Sequence, residues 1–276
     1  MKKPLRDVLL DLQNNNKSLL AFNLQNLYQL EAASLTSNKL KLPLIIQFSE
    51  RYLRFLDNKH QIEYLINKYS NNYVYFHLDH CIDLDFIKKC IDSKFDSVMY
   101  DGSSFDLRKN IENTTSIIQY AKKLNCLLEG ELGKVSGVED GFGEGGSSYA
   151  EIDEIESYIH KTGVDLMALG IGNAHGFYED LGTIRIDILK EASLRLNKKQ
   201  FFVLHGGTGL PEETIREAIS YGVVKLNVST HIKKKTIEIL KSYLDENELY
   251  NEITFDTTMI KGLSQLFEKY LTKYTK

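Results

Sequence analysis

The chain has 276 residues, 42% of them hydrophobic and 26% charged, the balance of a globular protein with room for a large core. Its 34 basic and 38 acidic residues leave a formal charge of −4 and are interspersed, so no basic face argues for nucleic acid. No apolar run approaches the roughly 20 residues of a membrane span, and three unclustered cysteines (Cys81, Cys90, Cys126) behind a polar N-terminus point to free thiols in a cytoplasmic protein.

Short apolar, β-branched runs recur at 19–24, 43–49, 73–79, 97–102, 126–132, 166–172, 201–207 and 223–230. Each is expected to be a strand. The segments between them place apolar residues at helical spacing, as in 111–124 (Ile111, Ile117, Ile118, Tyr120) and 184–196. Pro211 stands where a helix should start, and 259–274 forms a further amphipathic helix beyond the eighth unit. Apolar strands alternating with helices imply parallel pairing under helical cover. Eight such units imply an α/β fold, a single (β/α)8 (TIM) barrel over 1–276 with an extra C-terminal helix. Segment 133–148 breaks the rhythm with six glycines directly after the fifth strand, where a mobile lid over a barrel site is expected.

Reactive groups of such barrels gather at the C-terminal ends of the strands. In order those ends carry Asn23, Ser49, Asp79 with His80, Asp101, Glu131, His175, His205 and Asn227, all polar after apolar strands. His80, His175 and His205 come from three strand ends and together suit a catalytic zinc site, with three imidazoles and an open position. Asp101 and Glu131 are hard oxygen donors that could form a second metal position, orient the histidines or bind water. Strand parity puts Tyr75, His77 and Asp79 on one face and His80 on the other, so strand three must end or twist near residue 79 if both are to serve the site. His77 then lies deeper, in a structural role. Glu129 lies one layer inside Glu131, where a lone charge is costly, and Lys225 on strand eight shares its depth; the two are expected to pair. Two segments suit phosphate, Gly206-Gly207-Thr208-Gly209 after strand seven and Asn227-Val228-Ser229-Thr230 at the end of strand eight, since both lead into helix N-termini.

These residues fall in motifs that resemble the class II, metal-dependent ketose-bisphosphate aldolases from about residue 20 to residue 240. The motifs are Ala21-Phe22-Asn23, Gln47-Phe48-Ser49, His77-Leu78-Asp79-His80, Tyr100-Asp101-Gly102-Ser103, Glu129-Gly130-Glu131, Gly172-Asn173-Ala174-His175-Gly176, His205-Gly206-Gly207-Thr208-Gly209 and Lys225-Leu226-Asn227-Val228-Ser229-Thr230. The resemblance implies a dimeric or tetrameric barrel that cleaves a ketose 1,6-bisphosphate to dihydroxyacetone phosphate and glyceraldehyde 3-phosphate. It implies Zn2+ on His80, His175 and His205, with Asp101 and Glu131 at positions that hold a second or displaced metal, and a monovalent cation such as Na+ or K+ as in relatives. Asp79 then corresponds to the proton donor and acceptor at the C4 hydroxyl, and Glu139 to a glutamate that moves a proton at C3. Ser49, Gly176, Gly206 to Thr208 and Asn227 to Thr230 correspond to substrate contacts, with Asn23 beside them.

The residues agree with that chemistry. Breaking C3–C4 leaves a carbanion, which zinc can stabilise as an enediolate by polarising the C2 carbonyl. A Schiff-base aldolase needs a barrel lysine, and strand six contains none. Ser229 stands where fructose-bisphosphate members typically carry aspartate and tagatose-bisphosphate members a small residue. Lys233 is placed to meet the distal phosphate, or forms a solvated face with Lys234 and Lys235. Other readings are an aldolase for another phosphorylated ketose or keto acid, and a barrel metal-dependent hydrolase. The hydrolase pattern of a His-x-His pair on strand one is missing here, since that strand ends at Asn23.

Overall fold

The computed structural model describes residues 2–56, 59–135, 148–174, 176, 184–246 and 249–276. Its strands are β1 (Leu19–Asn23), β2 (Leu44–Ser49), β3 (Val74–Cys81), β4 (Ser97–Tyr100), β5 (Leu127–Leu132), β6 (Leu166–Leu169), β7 (Phe201–Leu204) and β8 (Val223–Val228). They pair in parallel in chain order, and β8 closes on β1 with Leu19 beside Lys225 and Ala21 beside Asn227. The helices are α1 (Leu5–Asn14), α2 (Leu27–Leu40), α3 (Glu50–Leu56), α4 (Lys59–Tyr69), α5 (Leu84–Asp92), α6 (Leu107–Lys123), α7 (Ile152–Thr162), α8 (Ile186–Arg195), α9 (Glu212–Ser220), α10 (Thr230–Glu246) and α11 (Glu252–Tyr274). The fold is a (β/α)8 barrel, as the eight apolar runs imply, with an extra helix after the eighth unit.

Each strand has two faces with different neighbours. Outward residues such as Phe22, Ile46, Phe76, Leu128 and Leu226 pack under the helices in one large apolar layer. A second, smaller cluster fills the lower barrel with Leu19, Ala21, Ile45, Tyr75, Leu127, Leu166 and Phe201. Above it the inward positions turn polar, with Gln47, His77, Glu129 and Lys225 all fully buried. A closed apolar floor therefore leaves only the C-terminal end of the barrel for chemistry.

The floor is completed by α1, an element that the strand and helix pattern of the sequence does not announce. Leu5, Val8, Leu9 and Leu12 lie on one side of this helix and join the lower cluster. Its N-terminal region is tied down by charge: Lys2 pairs with Asp96 at 2.8 Å, and Arg6 pairs with Asp165. Those aspartates precede β4 and β6, and each also accepts a backbone N–H of the neighbouring strand, from Phe76 and Leu128. The C-terminal helix likewise starts earlier than its apolar periodicity, because Asn251 caps it by accepting from Thr254 N at 2.9 Å. Pro211 occupies the N-cap position of α9. The three cysteines are buried free thiols.

Truncating the plug should be costly. Leu9→Ala removes a fully buried side chain and is expected to lower the unfolding free energy by about 2–5 kcal/mol in urea denaturation; a variant as stable as wild type would show that α1 does not seal the floor.

Candidate active site

Asp79 ends the inward row of β3, opposite Ser49 of β2, and is 1% exposed. Its Oδ2 accepts from Asn23 Nδ2 at 2.7 Å and Gln47 Nε2 at 3.1 Å, and Asn227 Nδ2 lies 3.5 Å from Oδ1. Gln47 also donates to Asn23 Oδ1 at 2.5 Å. Amides from three strands thus hold the carboxyl group of Asp79, and no cationic side chain is among these partners. Gln47 is a residue that strand-end reading passes over, because it lies one layer below Ser49; its shared parity with Ser49 was the signal.

The neighbouring residue should point out of the barrel, and the backbone prevents this. His80 adopts φ +38, in the left-handed region, and the β3–β4 register shifts between Leu78 and Cys81. This irregularity is the twist that parity demands near residue 79, and it turns the imidazole inward. His80 Nδ1 lies 2.8 Å from Asp101 Oδ2 and 3.9 Å from Glu131 Oε2, while Nε2 lies 3.0 Å from His205 Nδ1. On the other side, His205 Nε2 meets Glu129 Oε1 at 2.9 Å. Both rings therefore direct one nitrogen at a carboxylate and the other at the same point between them.

Protonation follows this geometry. Burial alone disfavours charge on His80, but Asp79, Asp101 and Glu131 outweigh it and raise its pKa well above the ordinary histidine value. Burial would raise Asp101, yet His80 and the Ser103 hydroxyl and N–H hold it well below the usual carboxylate range. Glu131 goes the other way: burial, then the charge of Asp101, pushes it well above that range. Burial also lowers His205. His80 Nε2 and His205 Nδ1 lie close enough together that a metal ion bound there would meet two imidazole nitrogens already converged. Among the described residues, ligand atoms of Asp79, His80 and His205, and of His80, Asp101 and Glu131, lie within 4.8 Å of one another. Two imidazole nitrogens with carboxylate oxygens beside them form a donor set that zinc can take.

Beneath the histidines lies the expected pair. Lys225 Nζ is 2.9 Å from Glu129 Oε2, both fully buried, and 3.2 Å from His77 Nε2, whose Nδ1 meets Ser97 Oγ at 2.8 Å. His77 is thus a structural residue of this layer. Glu129 serves two partners, since its second oxygen holds the outer nitrogen of His205. Burial would raise its pKa, but Lys225, His205 and His77 together lower it well below the usual range.

The β7 and β8 ends form a second polar wall. Gly206 has φ +67, and Gly207 N donates to Asn227 O at 3.1 Å, which joins the two loops. Thr208 Oγ1, Asn227 Oδ1 and Ser229 Oγ are buried without a hydrogen-bond partner among the described residues, and so are Gln47 Oε1 and Glu131 Oε2. Such orphaned atoms are costly unless a ligand completes them. Thr230 begins α10, and Lys233 lies half-buried in its first turn with its N–H on Ser229 O. Val228 puts its side chain into the outer apolar layer, which leaves only its backbone for a ligand. Ser49 Oγ accepts from Tyr52 N at 3.3 Å, at the start of α3. Gly176 has φ +109. His175 and Glu139 lie outside the described residues. Asn173, which the sequence motif contains without a role, accepts from Ile171 N and donates to His205 O at 3.1 Å, which ties the β6 loop to the β7 histidine.

Residues 3–275 match the family described as class-II fructose-bisphosphate aldolase. The chain belongs to this family. It is 32% identical over 258 residues to the 6-phospho-5-dehydro-2-deoxy-D-gluconate aldolase of Halalkalibacterium halodurans, covering 91% of this chain and 88% of that protein. It is 29% identical over 249 residues to the fructose-bisphosphate aldolase of Staphylococcus epidermidis, covering 88% and 86%. Among solved structures, the YdjI aldolase of Escherichia coli K12 superposes with a TM-score of 0.82 at 23% identity over 99% of this chain and 97% of that one. The fructose-bisphosphate aldolase of Campylobacter jejuni does so with a TM-score of 0.82 at 20% identity over 98% and 93%. At these identities the two structures support the barrel fold.

Breaking the buried pair exposes its weight. Lys225→Met should cost about 3–5 kcal/mol of stability at neutral pH. Because the folded pKa of Glu129 lies below its unfolded value, the pair's contribution is present above the ordinary glutamate value of 4.5 and is lost as the pH falls through the folded value. The gap between wild type and variant, measured by denaturation across pH, should therefore narrow in acid; a variant that melts like wild type at neutral pH contradicts the pairing.

Proposed function

We propose that this chain is a zinc-dependent aldehyde-lyase that reversibly cleaves the C3–C4 bond of a phosphorylated ketose, with fructose or tagatose 1,6-bisphosphate as substrate. The observation that carries this reading is the adjacency of Asp79, a buried carboxylate held by amides, to the converging nitrogens of His80 and His205. A retro-aldol cleavage needs one group to take a hydroxyl proton and another to stabilise the electrons left beside the ketone. A divalent ion held by His80 and His205, with His175 as the expected third ligand, supplies Lewis-acid polarisation of the carbonyl. Asp79 takes the proton from the hydroxyl on the far side of the broken bond and returns it on condensation. Asn23 and Gln47 aim its oxygen. Glu139 is proposed to move the proton at C3. Thr208, Ser229, Asn227 and the N–H groups of Gly206 and Thr230 hold the phosphate next to the ketone, and Lys233 meets the anion at the other end. Ser49 and Gly176 complete the substrate wall. Free buried thiols support a cytoplasmic site of action, and the family resemblance a homodimer or homotetramer.

A second substrate has its own support. The similarity to a 6-phospho-5-dehydro-2-deoxy-D-gluconate aldolase favours a phosphorylated keto acid as an alternative. Its name describes a phosphate on the carbon next to a ketone, as in fructose 1,6-bisphosphate, but a carboxylate at the far end in place of the second phosphate. The wall formed by β7 and β8 would serve both, so the far end decides.

The test is cleavage of these three compounds with and without a metal chelator. Activity that a chelator abolishes and zinc restores is expected, with one compound preferred in kcat/KM. Activity that survives metal removal, or a borohydride-trapped adduct with dihydroxyacetone phosphate, overturns the metal reading. Asp79→Ala should lose about 10²–10⁴-fold in kcat while still binding zinc; full activity would reassign the acid.

A further inference from the structure

The two carboxylates beside His80 stand on strands of unequal length, and the gap between those strands is filled from outside the barrel. The last pair between β4 and β5 joins Tyr100 to Gly130. The carbonyls of Leu128 and Leu132 accept from Asp165 N and Gly170 N on the β6 side, so the carbonyl of Glu131, between them in alternation, faces β4. There β4 has ended. Its chain still bonds to β3 through Asp101 N and Cys81 O at 2.9 Å, but it no longer meets β5.

Asn110, the fourth residue of α6, takes the missing place. Its Nδ2 donates to Glu131 O at 2.9 Å, and the residue is 1% exposed. The amide reaches the strand only because residue 102 is glycine: a Cβ there would lie 2.1 Å from Asn110 Oδ1. Thr114 Oγ1 and Tyr158 OH each lie 3.3 Å from that oxygen and 2.7 Å from each other, so that one hydroxyl donates to the other, which donates to the amide. A polar triad thus lies between sheet and helices; Asn110 joins it to the strands at the backbone of Glu131, and Tyr158 OH packs against Gly130. Strand pairing alone could satisfy that carbonyl only if β4 ran further, and Asp101 would then continue a straight strand.

We propose that Asn110 is a positioning residue for the metal site. By standing in for the absent strand bond, it fixes the backbone of Glu131 against the turn that carries Asp101, and so sets both carboxylates around Nδ1 of His80. This rests on the proposed metal at His80 and His205. Asn110 touches no reacting atom; it acts through the outer partners of a ligand, whose loss typically lowers metal affinity about 10–100-fold.

The experiment compares wild type, Asn110→Leu, Gly102→Ala and Thr114→Val, each as the full chain, for zinc affinity by chelator competition and for the visible spectrum of the cobalt-substituted protein. Asn110→Leu removes the donor and keeps the bulk. Gly102→Ala keeps Asn110 but drives its amide from the slot, so it reads the same contact if the leucine variant does not fold. Thr114→Val weakens the triad without touching Glu131. The expected result is a loss of about 10–100-fold in zinc affinity, with an altered cobalt spectrum, in the first two variants, and wild-type metal binding in Thr114→Val despite a lower Tm. Equal affinity in wild type, Asn110→Leu and Gly102→Ala overturns the inference alone, as does a loss in Thr114→Val as large as theirs, which would mark a purely structural network. A wild-type protein that binds neither ion overturns both this inference and the metal-dependent function.

Discussion

An extended strand sends consecutive side chains to opposite faces, and the chemistry proposed for this barrel needs Asp79 and His80 on the same one. The positive φ at His80 and the broken β3–β4 register meet that need. Left-handed backbone is unfavourable for a residue with a Cβ, so something must hold it. Asp101 and Glu131 do so from outside the ring, and His205 from inside. The proposed proton acceptor and the proposed metal ligand are thereby neighbours in sequence and in space, with no flexible linker between them.

Keeping several ionisable groups so close under burial requires that each have a partner. The lower layer supplies it. Glu129 joins Lys225 and His77 below to His205 above, so the orientation of the upper imidazole is set by a charge pair deep in the barrel. Lys225 is the one lysine that the sequence puts in a strand of the barrel wall, and its ammonium is committed to this layer and not to the strand ends. The apolar floor with α1 beneath it keeps water from these charges on one side. The open end is lined instead by hydroxyls and amides, several of them without partners among the described residues.

Much of this was legible in the sequence, for definite reasons. Apolar runs of strand length separated by helical periodicity have few other solutions than a parallel barrel, and seven of the eight runs contain their strands, β3 alone running past its apolar run to Cys81. The polar residue after each run marked the site because inward positions change from apolar to polar only near the open end. Glu129 and Lys225 could be paired from depth and parity alone. What escaped has a common cause. The helix α1 precedes the first strand and owes its place to tertiary packing; Gln47 and Asn110 look like ordinary polar residues until the topology shows which donor a neighbouring group lacks. Strand ends ran long by a residue or more, as at β6 and β7, where glycines release the chain into loops.

The proposed chemistry needs a cation between the imidazoles of His80 and His205. Diffraction from zinc-loaded crystals, recorded on both sides of the zinc absorption edge, tests it most directly. An anomalous peak about 2.0–2.1 Å from both His80 Nε2 and His205 Nδ1 is the predicted result. Zinc-saturated crystals in which those nitrogens still face each other with no anomalous peak between them, or in which the only bound zinc lies on surface carboxylates, would contradict it.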